Sequence, residues 1–368
     1  MHKARRFPNK LTHLAYWLAV LIPLLIPLGW QLRELPGFSV AFAWLIPLVL
    51  YVALPIADKL IGRDLADPPA DARSALTDTL VPVAASLSYF AVLSWALVTV
   101  AHQSDQFTPL TLLGWTVSLA NAGGVIAINV AHELIHRRAR WQRNLGGLLL
   151  SCVWYACFKL EHPRWHHVKV ATVDDPSSAA LGSNVYTQVP RALLLNTRCG
   201  WRLASEAALH VGRPAWMNEM LAWYSISAAL TLGVFLAWGA LPGLVFIGQA
   251  VGAAALLEVI NYVEHYGLRR ERRDNGRFEP PQKHHSWDAD FWLSNALLIQ
   301  LPRHADHHVN PTRPFPALQR SAEAPQLPFG YATAVIIALL PPVWHSVVDR
   351  RLQAHLQLRQ SLTDRGAI

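Results

Sequence analysis

Four short stretches hold nine of the chain's seventeen histidines: His132 and His136; His162, His166 and His167; His265; and His304, His307 and His308. Neutral imidazole is a good ligand for iron and zinc, and nine rings exceed what one ion can use. His132 and His136 are four residues apart, so a helix stacks both on one face, where they can chelate a single ion. His304, His307 and His308 follow at i, i+3 and i+4, a facial trio on one helical turn. His265 has no such companion in sequence. It lies seven residues after Glu258, an acid inside an apolar run, where an unpartnered charge is costly. Asn129 sits one turn before His132 on the same side. Glu133, Glu161, Glu264 and Asp306 each neighbour a histidine, and such carboxylates more commonly orient an imidazole N–H than bind metal themselves. The pattern implies a polynuclear metal centre held by histidine.

Taken alone, His-Glu-x-x-His at 132–136 also fits a zinc peptidase with Glu133 as base, a reading that leaves six or more histidines unexplained. A metal transporter would place its site near the bilayer midplane, whereas these clusters stand at the ends of apolar segments. His2, His13, His102, His210, His284, His285, His345 and His355 read as structural, with the pair His284-His285 to watch because it falls between two clusters.

The elements that must position the clusters are membrane helices. The chain has 368 residues, 52% hydrophobic and 15% charged, too apolar for an average soluble protein. Its apolar residues gather in runs near the length of about twenty residues that a helix needs to cross a bilayer. These predict six spans at 14–32, 38–57, 79–101, 110–131, 221–240 and 243–262, with Tyr16, Trp17, Trp30, Trp95, Trp115, Trp223 and Tyr262 as interfacial anchors. Lys3, Arg5, Arg6, Lys10, Lys59, Arg63, Arg73 and everything basic after Arg137 fall on one side, against Arg33 alone on the other. The positive-inside rule then makes both termini and all four clusters cytoplasmic. Pro23, Pro27, Trp30 and Leu32 argue against a cleaved signal peptide in the first span.

The net charge of +8 belongs to that cytoplasmic face and to anionic lipid rather than to nucleic acid. Cys152, Cys157 and Cys199 form no Cys-x-x-Cys pair, so neither an iron–sulfur site nor a disulfide is expected on a reducing side. The expected organisation is all-α: spans one to four within 1–131 with a polar linker at 58–78, a cytoplasmic cap at 132–220, the fifth and sixth spans at 221–262, and a second cap portion at 263–368. Together these make one catalytic domain. The apolar stretches 144–158 and 331–348 are too short, or too broken by Pro341-Pro342, to read as spans. Leu93, Leu97, Val125, Ile128, Ala254 and Leu257 are candidates to line a pocket beneath the metals.

Imidazoles without bridging thiolates hold iron while leaving positions open for oxygen, and iron–oxygen chemistry breaks C–H bonds that no side chain can. An apolar substrate dissolved in the bilayer reaches such a site between helices. The layout suits oxidation of a hydrocarbon.

At these motifs the sequence resembles the membrane-bound alkane monooxygenases, relatives of the integral-membrane fatty-acid desaturases and xylene monooxygenases. The matching text is HELIHRR at 132–138, EHPRWHHVKVATVDDPSSA at 161–179 with its downstream Asp-Pro, NYVEHYGLRR at 261–270, HHSWDADFWLSNALLIQLPRHADHHVNPTRPF at 284–315 and APQLPFGYAT at 324–333. The resemblance covers about 120 to 355. It implies that His132, His136, His162, His166, His167, His265, His304, His307 and His308 bind two iron ions as a non-haem diiron centre. It further implies that O2 is the co-substrate, that a terminal C–H bond is hydroxylated, and that electrons come from a separate rubredoxin and its reductase. Docking of that carrier on Arg137, Arg138, Arg140, Arg269 and Arg270 would follow from charge, and the protein would sit in a bacterial inner membrane. Pro163, Trp165 and Pro302 depart from the family's usual residues without touching a histidine, close enough to bear on chain length or on alkane against alkyl-aromatic preference. Methyl hydroxylation of xylene-type substrates and acyl-lipid desaturation are the nearest rival oxidations.

Overall fold

The structure, a computed structural model, describes residues 7–68 and 75–364. His2, Lys3, Arg5, Arg6 and Arg73 lie outside the described residues. Regular structure among these residues is helical, with isolated β-bridges and no strand. Five helices are long and apolar enough to cross a membrane: Phe38–Ile61, Thr77–His102, Pro109–Ile135, Glu219–Trp238 and Ala240–His265. They match the second to sixth expected spans. The expected first span is instead two helices, Asn9–Leu21 and Leu25–Leu32, that meet at 61°. Pro23 stands at the break, where it offers no N–H to the preceding turn and its ring crowds a carbonyl there. The chain crosses six times only if this bent pair counts as one crossing.

The Pro109–Ile135 helix starts sharply. The Thr108 hydroxyl accepts the Thr111 amide at 3.2 Å, the Thr111 hydroxyl accepts the Thr108 amide at 2.9 Å, and Pro109 occupies the first turn. Midway, at Gly123–Ile128, it widens into a π turn, a distortion often found near functional sites. A Cβ on Gly123 would stand 2.8 Å from the Ala253 methyl, and one on Gly124 would stand 2.7 Å from Leu256 Cδ2. Glycine at both positions thus lets this helix close on Ala240–His265. The ends bearing His132 and His265 emerge together as a result.

At the opposite end Trp30, Phe42, Phe107 and Trp115 form an aromatic plug, with Trp30 and Phe107 stacked at 5.3 Å and Trp30 edge-on to Trp115 at 5.7 Å. The stretch 144–158 forms no continuous helix: Arg140–Cys152 ends at Val153, Trp154 takes a left-handed φ of 53°, and Phe158–Glu161 resumes. The stretch 331–348 likewise breaks between Tyr331–Ala338 and Pro341–Trp344. A 26-residue helix, Val185–His210, capped by the Asn184 side chain, borders the second histidine cluster.

Candidate metal centre

All nine histidines of the four clusters converge, and they divide into two groups. His132, His136, His162, His167 and His307 present ring nitrogens that all lie within 4.8 Å of one another; so do His166, His265, His304 and His308. Eight of the nine are buried, and His136 is half-buried. Five come from helix ends: His132 and His136 from Pro109–Ile135 and the residue after it, His265 from the last position of Ala240–His265, and His304 and His308 from one turn of the short helix His304–Val309. His307 shares that turn yet faces the other group. His162 and His166 bound a π turn, His162–His166, and His167 follows it. The wider turn sends His162 and His167 to one group and His166 to the other.

The spacing inside each group is that of ligands around an ion. His162 and His167 approach Nε2 to Nε2 at 3.0 Å, His167 and His307 at 3.1 Å, His265 and His304 at 3.1 Å, and His304 and His308 at 2.9 Å. Two nitrogens each about 2.1 Å from a common metal and at right angles to each other are about 3 Å apart. The His132, His136 and His166 Nε2 atoms are buried with no protein partner, and an unsatisfied buried acceptor is expensive. His167 Nε2 faces two other imidazole nitrogens at once, and His304 Nε2 does the same. Lone pairs in that arrangement repel unless a cation or shared protons lie between them, so the residues present fit two metal ions.

Six of the rings are also kept neutral, as ligands must be. Burial and the neighbouring His166 hold His136 down to about 3. Burial and adjacent imidazoles push His162, His167, His304, His307 and His308 well below the ordinary histidine value.

Orienting bonds reach two of the rings. The His166 Nδ1–H donates to Asp175 Oδ2 at 3.1 Å, which leaves Nε2 as the lone pair facing inward. Asp175 is itself held by the Ser178 hydroxyl at 2.6 Å and the Ser177 amide at 3.3 Å. Burial alone would raise its pKa, but His166 and the hydrogen bonds from His166 and Ser178 outweigh burial and keep it below the ordinary value. The His265 Nδ1 faces the His285 carbonyl at 3.4 Å. Sequence reasoning did not single out Asp175 as an orienting residue; the Asp-Pro after the second cluster was the available signal.

The acids named from sequence are placed variously. Glu264 Oε2 lies 3.3 Å from His304 Nε2. Glu133 pairs with Arg137 at 2.5 Å and accepts the Phe315 amide at 3.4 Å. Asp306 is gripped by Arg313 at 2.5 and 2.7 Å and accepts the Gln319 amide at 2.9 Å. Glu258 is fully buried, and accepts from Tyr155, from Asn196 at 3.2 Å and from Asn261 at 3.1 Å, which resolves its cost inside a span. Glu161 is buried beside Asp175 and Glu258, with one oxygen lacking a partner. The Asn129 side chain donates to the Leu298 carbonyl at 2.8 Å.

The pair His284-His285 clusters with Glu279, yet hydrogen bonds account for His285. Its Nδ1 accepts the Gln282 amide at 2.9 Å, so Nε2 must carry the proton that it gives to Glu279 at 3.1 Å. No lone pair on that ring is left for an ion.

Beneath the centre lies an apolar cavity. His132, His162 and His304 stand at one end, with Asn129, Asn261 and Glu264 beside them, and Val125, Ile128, Leu257, Leu298 and Val335 form walls. Tyr51 also lines it, its hydroxyl donating to Asn121 at 2.6 Å. Asn121 and His132 are eleven residues apart on one helix, or about 16 Å at 1.5 Å per residue. Of the pocket candidates, Val125, Ile128 and Leu257 line this space. Leu93, Leu97 and Ala254 do not: they are buried in helix packing, because their faces meet neighbouring helices rather than the cavity.

An all-helical membrane body with a histidine centre over an apolar cavity defines a class of integral-membrane oxidoreductases, and the fatty acid desaturase family matches residues 107–336. Over nearly the whole chain the similarity is to narrower relatives. The alkane 1-monooxygenase 2 of Pseudomonas aeruginosa is 40% identical across 94% of this chain and 93% of that protein. The alkane 1-monooxygenase 2 of Alcanivorax borkumensis is 38% identical across 95% and 92%. The xylene/toluene monooxygenase hydroxylase component of Pseudomonas putida is 28% identical across 66% and 64%. The chain belongs to the membrane-bound alkane monooxygenase family and is an oxidoreductase integral to the membrane.

Proposed function

We propose that the chain hydroxylates the terminal carbon of an alkane or alkyl chain, converting R–CH3, O2, two electrons and two protons into R–CH2OH and water. The observation that carries this reading is the position of the two histidine groups at an apolar cavity, which His132, His162 and His304 help to line. Two iron ions, when bound, supply the oxygen chemistry that an unactivated C–H bond requires. His132, His136, His162, His167 and His307 would hold one, and His166, His265, His304 and His308 the other. Asp175 fixes the His166 tautomer. The cavity walls strip water from the hydrocarbon and hold it lengthwise, so that one end lies under His132, His162 and His304. Tyr51 and its bond to Asn121 limit how deep the other end reaches.

Electrons come from a separate rubredoxin-type carrier and its reductase, since the three cysteines are single and buried. The asymmetry of lysine and arginine supports a cytoplasmic centre in a bacterial inner membrane. The extent of similarity favours alkane over xylene-type methyl substrates: the alkane 1-monooxygenases match at higher identity over far more of the chain. The purified protein loaded with iron and supplied with rubredoxin, reductase and 18O2 should convert octane to 1-octanol carrying the label. Unlabelled product, a desaturated acyl chain or hydroxylation confined to xylene would overturn the assignment.

A further inference from the structure

The outer side of the second cluster carries a groove that the site described so far does not use. Arg191, Arg198 and Arg202 recur at intervals of seven and four on the Val185–His210 helix, which places them on one stripe, and with Trp165, Asp174 and Leu195 they line an open groove. The Arg202 guanidinium stacks 4.4 Å over the Trp165 ring, and the Lys169 ammonium stands 5.5 Å from it. The nearby acids offset Lys169 and Arg202 and leave Arg191 and Arg198 in surplus. Asp174 is engaged by Lys169 at 3.1 Å, and Glu206 lies 3.9 Å from Arg202.

Trp165 is joined to the four-histidine group twice. One peptide bond connects it to His166. Its indole N–H also donates to the Asp174 carbonyl at 3.0 Å, while the next residue, Asp175, accepts from His166 at 3.1 Å. A half-buried aromatic ring therefore has a covalent and a hydrogen-bonded route to the same inward-facing imidazole.

We propose that this groove is the docking face for an acidic, one-electron carrier protein, and that Trp165 is the outer end of the path by which its electrons reach the His166 group. The proposal rests on the oxidation reading above. Each docked carrier would give up one electron through Trp165 toward the His166 group, whose bound iron would supply the acceptor, so two dockings would deliver the two electrons of one turnover. Positive charge around a small aromatic contact suits such brief encounters, which bury little surface and depend on electrostatic steering.

The test uses the full chain in detergent and an acidic rubredoxin as probe, with binding measured directly at low salt. R191E/R198E should weaken the carrier's Kd by about tenfold or more, and salt should weaken the wild type in the same direction. R138E/R140E, on the other basic surface, should leave Kd unchanged. Trp165→Ala should retain binding but lose most of the rate at which the reduced carrier is oxidised in stopped flow, and Trp165→Phe should recover part of it. Reduction by dithionite should be the same in all variants. The groove is excluded if R138E/R140E is the pair that weakens binding, or if R191E/R198E changes only the anionic lipid that co-purifies. If the wild type binds the carrier as predicted but oxidises no hydrocarbon, the oxidation reading fails while the docking face stands. If it oxidises octane with R191E/R198E as efficiently as without, the docking face fails alone.

Discussion

Asp175 shows how one carboxylate can decide what a histidine is able to do. An imidazole binds metal through a nitrogen that carries no proton, so the other nitrogen must keep its hydrogen. Asp175 accepts that hydrogen from His166 and is held in turn by Ser177 and Ser178. Asp175→Ala removes the acceptor and lets the ring turn. Loss of an orienting partner of this kind weakens metal binding by about 10- to 100-fold. The expected result is selective loss of the ion at the four-histidine group, read as a metal-to-protein ratio halved relative to wild type after mild chelation. Asp175→Asn, which keeps an acceptor oxygen, should retain more metal than the alanine variant. Equal retention in all three proteins would deny Asp175 this role. The individual histidines were legible because i, i+3 and i+4 spacings are visible in a string of letters. Their partition was not, since adjacent residues (His166 and His167, His307 and His308) go to opposite groups.

Two elements account for that partition and for the meeting of the clusters. The π turn at His162–His166 changes the angle between successive rings, and no apolar periodicity marks such a turn in sequence. The other element is the glycine pair in Pro109–Ile135, where close packing against Ala240–His265 brings the helix ends bearing His132 and His265 out side by side. A valine at Gly123 would press on Ala253 at 2.8 Å and Val153 at 3.1 Å. Overpacking of this sort costs about 1–3 kcal/mol. Gly123→Val should therefore lower the midpoint of thermal unfolding in detergent and reduce bound metal together. A variant with an unchanged midpoint and full metal content would show that the helices tolerate separation. The bend in the first segment was not foreseen: 14–32 was expected as one span, and whether a proline such as Pro23 kinks a span or ends it depends on packing.

On the scale of the whole molecule, the fold brings nine imidazoles together and holds six of them neutral by burial and mutual proximity, and this makes the protein sensitive to acid. The affected groups include His136, held down to about 3, and His162, His167, His304, His307 and His308, all held well below the ordinary value of 6.5. Above that value neither the folded nor the unfolded chain protonates them, and they add no pH dependence. Below it the unfolded chain takes up protons that the folded chain refuses, so stability falls as pH falls. The metal-free protein should thus unfold at progressively lower temperature from about pH 6.5 downward, a trend that a titration of unfolding midpoints from about pH 7.5 to about pH 5 would expose. A flat profile would mean that the rings are not buried as neutral groups.

Spans and composition made the membrane class legible, because about twenty apolar residues have few other uses. The cavity was only partly foreseen. Val125, Ile128 and Leu257 were on the correct faces, while Leu93 and Leu97 face into helix packing. Which side of an apolar helix meets a cavity depends on its neighbours, and a span that is apolar all round carries no record of them.

The central claim is that the nine histidines hold a pair of iron ions in two groups. Metal analysis of protein purified with iron, compared with His307→Ala and His308→Ala, tests it most directly. The wild type should carry two iron ions per chain. His307→Ala should preferentially weaken the site of the five-histidine group, and His308→Ala that of the four-histidine group, with distinguishable iron spectra for the ion that remains. A single zinc ion per chain, or identical spectra and metal loss in the two variants, would contradict the account.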